Sequence, residues 1–220
     1  MNLQSILNQV LQTAANSQRS DAGKYVTGGL VGLLLGSRGG RSLGGTALKY
    51  GSVAALGAMA WKAYQDYETQ QRVQAPAGAA GAPTAAAPNA PPNPGFAALP
   101  APQLELHSQA MLKAMIAAAK SDGQIDEREQ GVLRGELERI GADSATRAWV
   151  EAELAKPASA ADIAAAATTP QMAAEVYLAS VVVVDEATMM ERAYLDELAH
   201  ALKLPPALKA ELEARAKSAA

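Results

Sequence analysis

Apolar positions recur at helical spacing from one end of the chain to the other. Near the start, Leu3, Ile6, Leu7, Val10 and Leu11 stand at i, i+3, i+4, i+7 and i+8, the stripe of a short amphipathic helix ending near Asn16. After residue 103 the same period predicts six or seven short helices. The first runs from about Gln103 to Ser121, with Leu104, Met111, Met115 and Ala118 on one stripe. A second starts at Asp126 and ends by Gly141, and a third begins at Asp143 or Ser144, carries Trp149, Val150 and Leu154, and stops at Pro157. A short alanine-rich helix follows Ser159. Thr169-Pro170 then reads as a cap followed by proline at the first helical position, opening a helix to Val184. The valines at 181–184 favour a strand by composition, but they close a segment of helical length with helical caps, and length decides for helix. Thr188 opens the next, with Leu195, Leu198, Ala199 and Leu202 inward, and Pro205-Pro206 starts the last. The fold class is all-α.

Between these regions the pattern changes twice. From Gly28 the glycines recur every four residues, at Gly28, Gly32, Gly36, Gly40 and Gly44, and line one face of a helix. Glycine weakens a helix in water by roughly 1 kcal/mol relative to alanine. In a membrane the same face permits close helix approach. The charge-free runs, Tyr25 to Ser37 and Tyr50 to Trp61, are both shorter than the roughly 20 residues a bilayer requires. With Lys49 tolerated, Ser42 to Trp61 becomes a twenty-residue candidate span, and Trp61, Tyr64 and Tyr67 its interfacial anchors. Residues 75–102 hold eight prolines and twelve alanines, which predicts a disordered, extended spacer. The chain thus divides into a glycine-rich helical arm (1–74), a Pro/Ala linker (75–102) and an acidic helical domain (103–220).

Charge follows the same division. Residues 1–74 carry seven basic and three acidic side chains, whereas 103–220 carry twelve basic and nineteen acidic ones. A body with that acidic excess is the wrong sign for nucleic-acid phosphates and favours cations or basic protein partners. The basic residues of the arm suit anionic headgroups. Nucleotide binding is disfavoured too, because the stretch Gly40-Arg41-Ser42-Leu43-Gly44-Gly45-Thr46 lacks the lysine of a phosphate-cradling loop. No cysteine is present, which excludes disulfides, thiolate metal sites and thiol nucleophiles. Met1 to Ser5 lacks the basic start and apolar core of a secretory signal.

The candidate chemistry lies in two acidic turns, Ser121-Asp122-Gly123-Gln124-Ile125-Asp126-Glu127-Arg128-Glu129 and Val184-Asp185-Glu186-Ala187-Thr188-Met189-Met190-Glu191. Asp126 with Glu129, and Thr188 with Glu191, match a capping box. Asp122 and Asp185 sit where the helix dipole disfavours negative charge, which calls for compensation by the N-terminus of the following helix, by a nearby cation such as Lys120, Arg128 or Arg192, or by a metal ion. Asp122, Gly123, Ile125 and Glu129 fit the later positions of a calcium loop, but Ala118 and Lys120 stand at its first two ligand positions. The candidate metal ligands are therefore Asp122, Asp126, Glu129, Asp185 and Glu191, an oxygen-only set suited to Ca²⁺, Mg²⁺ or Mn²⁺. His107 and His200 lack a neighbouring nucleophile, and Met189 and Met190 are expected in the core. No catalytic constellation stands out.

The first turn, together with Glu191-Arg192-Ala193-Tyr194-Leu195-Asp196-Glu197-Leu198-Ala199, resembles the TerB-like superfamily of helical domains associated with tellurite resistance. With the glycine arm and Tyr50-Gly51-Ser52-Val53-Ala54-Ala55-Leu56-Gly57, the chain resembles the YebE-type family of bacterial inner-membrane proteins. The resemblance implies a TerB-like bundle, inner-membrane location and acidic residues at these turns as metal ligands, namely Asp122, Asp126, Glu129 and Glu191. The second turn departs from the pattern, with Asp185-Glu186-Ala187 in place of Asp-Gly. The expectation is a non-enzymatic, membrane-associated accessory protein whose acidic domain binds a divalent cation or a basic partner. The alternatives are a soluble module that self-associates through the glycine arm and a metal-dependent hydrolase, which would also need a base to activate water.

Overall fold

The computed structural model describes residues 3–4, 7–8, 53–74, 101–121, 123, 127–139, 141–184 and 188–218. These residues form eight helices and no strand. They are α1 (Val53–Gln74), α2 (Ala101–Ala119), α3 (Glu127–Arg139), α4 (Ser144–Ala155), α5 (Ala160–Ala166), α6 (Pro170–Val183), α7 (Met189–Ala201) and α8 (Pro206–Ser218). Residues 3–4 and 7–8 are helical as well.

Four helix starts, those of α4 to α7, are set by side chains that satisfy the first free amides of the helix. Asp143 accepts from the Thr146 amide at 2.7 Å and starts α4. Ser159 does the same for Asp162 at 3.2 Å in α5, and Thr169 for Met172 at 3.1 Å in α6, where Pro170 occupies the first turn without losing a bond. The end of α3 needs glycine. Gly141 has φ +71, and the Gly141 and Ala142 amides return to the carbonyls of Glu138 and Leu137.

The centre of the bundle is α6. Met172 to Val181 are buried without interruption, so this largely apolar helix is enclosed on every side. α2 packs along it with Met111, Met115 and Ala118 inward, and Leu195 and Leu198 of α7 and Leu208 and Leu212 of α8 complete the same core. On the flank, α3 inserts Leu133 and Leu137 and is tied to α4 by Arg134–Glu151 at 3.0 Å and Arg147–Glu138 at 3.2 Å.

The arm's final helix belongs to this bundle. Leu56, Ala60 and Ala63 of α1 are buried in the common core, and α1 packs on α6 and α8. The two alanines let the helix axes approach closely. Asp66 pairs with Arg215 of α8, whose guanidinium holds the Asp66 carboxyl below its usual pKa. Leu3 and Leu7 are fully buried in the same core, and the Leu3 amide donates to Glu105 Oε1 at the start of α2 at 3.1 Å.

Two expectations are thereby corrected. The last nine residues of the Ser42–Trp61 candidate span lie in α1, where Leu56 and Ala60 pack against protein rather than lipid; residues 42–52 lie outside the described residues. Among the described residues no helix is long and apolar enough to cross a membrane. Nor does the linker space the arm's last helix from the body: α1 before it and α2 after it both pack on α6. Ala101 and Pro102, assigned to the linker, already belong to α2; residues 75–100 lie outside the described residues.

Candidate functional site

The two acidic turns join α2 to α3 and α6 to α7. At the first, α2 winds down in a tight end: the Ser121 amide and hydroxyl both donate to Ala118 O, at 3.0 and 2.7 Å, and the Gly123 amide donates to Lys120 O at 3.2 Å. Ala118 is buried, and Lys120 is only 6 % exposed, its ammonium donating to the carbonyls of Leu154, at 2.5 Å, and Lys156. Lys120 therefore closes the C-terminal end of α4, where the helix dipole favours a cation. Its ammonium is committed there rather than available to an acid in its own turn. Burial pulls the Lys120 pKa down, while the charge of Glu153 pushes it up. Neither early position of a calcium loop is thus free to face an ion.

At the second turn, Glu191 is 4 % exposed and its role is structural. Its Oε2 accepts from the Thr188 amide at 2.9 Å and the Thr188 hydroxyl at 3.0 Å, while the Glu191 amide donates to Thr188 Oγ1 at 3.1 Å. This is the capping box expected from the sequence. Met189 and Met190, expected in the core, are instead 81 % and 60 % exposed. They occupy the first two positions of α7, and the inward face of that helix begins only at Glu191 and Tyr194.

Of the other proposed ligands, Asp122, Asp126 and Asp185 lie outside the described residues, as does the side chain of Glu129, whose backbone is in α3. Gly28, Gly32, Gly36, Gly40 and Gly44 lie outside them too. Trp61 is half-buried on α1 with its ring stacked on Tyr64 at 6.2 Å. Among the described residues no three His, Asp or Glu side chains gather as a metal site.

Sequence reasoning missed a polar pair in the core. His107 of α2 and Glu175 of α6 meet through Nε2 and Oε2, a close polar contact in the core; Glu175 is wholly buried and His107 7 % exposed. Gln171 donates to the other oxygen of Glu175 at 3.1 Å. Two signals were present. His107 falls on the stripe of Leu104 and Met111, and Glu175 is the one charge in an otherwise apolar helix. Nearby, the fully buried Tyr177 donates its hydroxyl to Glu213 at 2.6 Å. Tyr194 is also enclosed, and burial pushes its hydroxyl pKa up. The His107–Glu175 contact ties α2 to α6, and the Tyr177–Glu213 bond ties α6 to α8. A cleft of about 310 Å³ lies beside Lys120, where Lys113, Glu153, Lys156 and Asp162 also line it. Lys113 and Lys156 converge there on one carboxylate, Glu153, at 3.8 and 2.6 Å.

The described residues form an all-helical body. Residues 20–216 match the model of the protein family of unknown function DUF533, and the chain belongs to that TerB-like family. It is also 29 % identical over 105 residues to an uncharacterized protein in the ampR 5′ region of Yersinia enterocolitica, an alignment covering 48 % of this chain and 76 % of that one. No solved structure is significantly similar.

Proposed function

We propose that the chain is a non-enzymatic accessory protein of the bacterial inner membrane, held at the bilayer by its basic, glycine-rich segment and presenting the helical bundle to a protein partner. The observation that carries this reading is the continuity of the segment with α1. Residues 20–52 run directly into a helix whose Leu56, Ala60 and Ala63 lie in the core. Whatever the segment binds is therefore held against the body itself. Residues 9–52 carry Arg19, Lys24, Arg38, Arg41 and Lys49 against Asp21. At about 1 kcal/mol per basic residue near an anionic leaflet, this excess supplies roughly 4 kcal/mol, to which apolar contact adds.

The partner reading is favoured over the cation reading because Glu191 is already committed to its cap and Lys120 to α4. Binding of Ca²⁺, Mg²⁺ or Mn²⁺ then rests on Asp122, Asp126, Glu129 and Asp185. Calorimetry with the three ions on the full chain tests it: no heat at millimolar ion removes the cation from the account. Self-association through the glycine face is the second reading. Fractionation of cells at low salt separates the two. Recovery with membranes supports the proposal; recovery as a soluble oligomer replaces it with self-association.

A further inference from the structure

The chain contains seven methionines and no cysteine, so the sulfur chemistry open to it is that of a thioether. The fold sorts these side chains sharply. Met111, Met115 and Met172 lie in the core at 0, 2 and 8 % exposure, and Met59 is half-buried on α1. Met189 and Met190 stand 81 % and 60 % exposed at the first two positions of α7, and they are two of the three large apolar side chains exposed among the described residues.

That exposure is built into the helix start. The capping box closes across the two methionines: the Thr188 amide donates to Glu191 Oε2 at 2.9 Å, and the Glu191 amide donates to Thr188 Oγ1 at 3.1 Å. The inward face is then fixed by Glu191, Tyr194, Leu195 and Leu198, all buried. Turning α7 to hide Met189 and Met190 would carry those side chains outward and lose more apolar burial than it gained.

We propose that Met189 and Met190 form a surface modification site, at which a hydroperoxide converts the two thioethers to sulfoxides while the bundle stays folded. With hydrogen peroxide, a sulfur lone pair attacks one oxygen, and an S–O bond forms as the O–O bond breaks. The departing hydroxide takes the proton of the transferred hydroxyl and leaves as water; the sulfur loses two electrons and the peroxide gains them. Access decides where this happens. At Met189 and Met190 the oxidant arrives from solvent and the polar product stays in it. At Met111 or Met115 the same oxygen would be forced among the apolar side chains of the core. The change is reversible: sulfoxide reductases, one for each epimer, return the thioether at the expense of a dithiol, which leaves as a disulfide with water. The start of α7 thus changes from apolar to polar and back with the supply of peroxide, in a chain that has no thiol to serve that purpose.

The test exposes the full chain to dilute hydrogen peroxide, samples it over time, and reads the added oxygen at each methionine by peptide mass spectrometry. The same series in concentrated urea gives the reactivity of each site without the fold. In the folded chain Met189 and Met190 should oxidise at least about tenfold faster than Met111, Met115 and Met172, and close to their own rates in urea, where these sites converge. The variant Met189→Leu with Met190→Leu, treated identically, carries any effect of the other methionines. The urea midpoint of the parent should shift on oxidation no more than that of this variant, and reductase with dithiol should restore both thioethers. Core methionines reacting as fast as Met189 and Met190, or strong protection of these two relative to urea, would overturn the site. A midpoint that falls in the parent but not in the variant would show that oxidation there unfolds the bundle, and sulfoxide persisting after reductase would contradict reversibility.

Discussion

Replacing Glu175 by alanine tests whether the buried pair organises the core. Glu175 is wholly enclosed in the central helix, one carboxylate oxygen against His107 Nε2 and the other accepting from Gln171. Glu175→Ala deprives both donors of their acceptor and leaves a void where the side chain was. Breaking a buried pair from one side costs about 3–5 kcal/mol. Typical domain stability is about 5–15 kcal/mol, so the loss is a large fraction of the whole. Glu175→Gln keeps the shape and an acceptor for Gln171 but loses the charge, and should cost less, about 1–3 kcal/mol. The double variant His107→Leu with Glu175→Leu removes both polar groups and should unfold within about 1 kcal/mol of the parent or above it. The assay is urea unfolding of the full chain at neutral pH, read from midpoints at constant slope. Two results would refute the reasoning: a cost for Glu175→Ala within the roughly 0.5 kcal/mol of a surface change, or single-variant costs that simply add in the double variant.

Other consequences follow from the packing. Leu56→Ala should lower the stability of the cooperative unfolding transition by about 2–5 kcal/mol, because α1 is part of the core; an unchanged transition would mean that α1 stands apart from the body. Gly131 and Gly135 are exposed on α3, and an added Cβ meets nothing within 4 Å at either. Alanine at each should therefore stabilise by about 0.4–1 kcal/mol, measured by thermal melting. Asp143 caps α4, and its bonds to Thr146 hold its pKa below the usual carboxylate value. Its contribution should be complete above the unfolded pKa and disappear as pH falls through the lowered folded one. Asp143→Asn should remove that acid-side loss from the stability–pH profile.

The helices and their starts were legible because their causes are local. Asp143, Ser159, Thr169-Pro170 and Thr188 each bond within three residues of themselves, and a sequence window contains both partners. Leu195, Leu198 and Ala199 were legible as core for the same reason, since one face of one helix defines them. Tertiary choices were not legible. Nothing local to Leu56 or Ala60 distinguishes a helix buried against α6 from one facing lipid, because both surroundings accept the same apolar side chains. Met189 and Met190 misled because composition suggests burial, while their place at the start of α7 turns them outward. His107 and Glu175 pair across helices far apart in sequence, so their anomaly on apolar stripes was visible but their partnership was not. At the candidate site, the capping role of Glu191 was readable from Thr188, whereas the commitment of Lys120 to α4 depends on a helix that begins two dozen residues later.

The central claim, that the basic glycine-rich segment holds this bundle directly at a bilayer, is tested most directly by flotation of the purified full chain with vesicles. Vesicles rich in anionic phospholipid, vesicles of neutral phospholipid, and a variant lacking residues 20–52 supply the comparison. The account predicts that the full chain floats with anionic vesicles at low salt, floats less as salt screens the arm, and that the shortened chain stays at the bottom of the gradient while still folded. A full chain that remains at the bottom with anionic vesicles at low salt would contradict it.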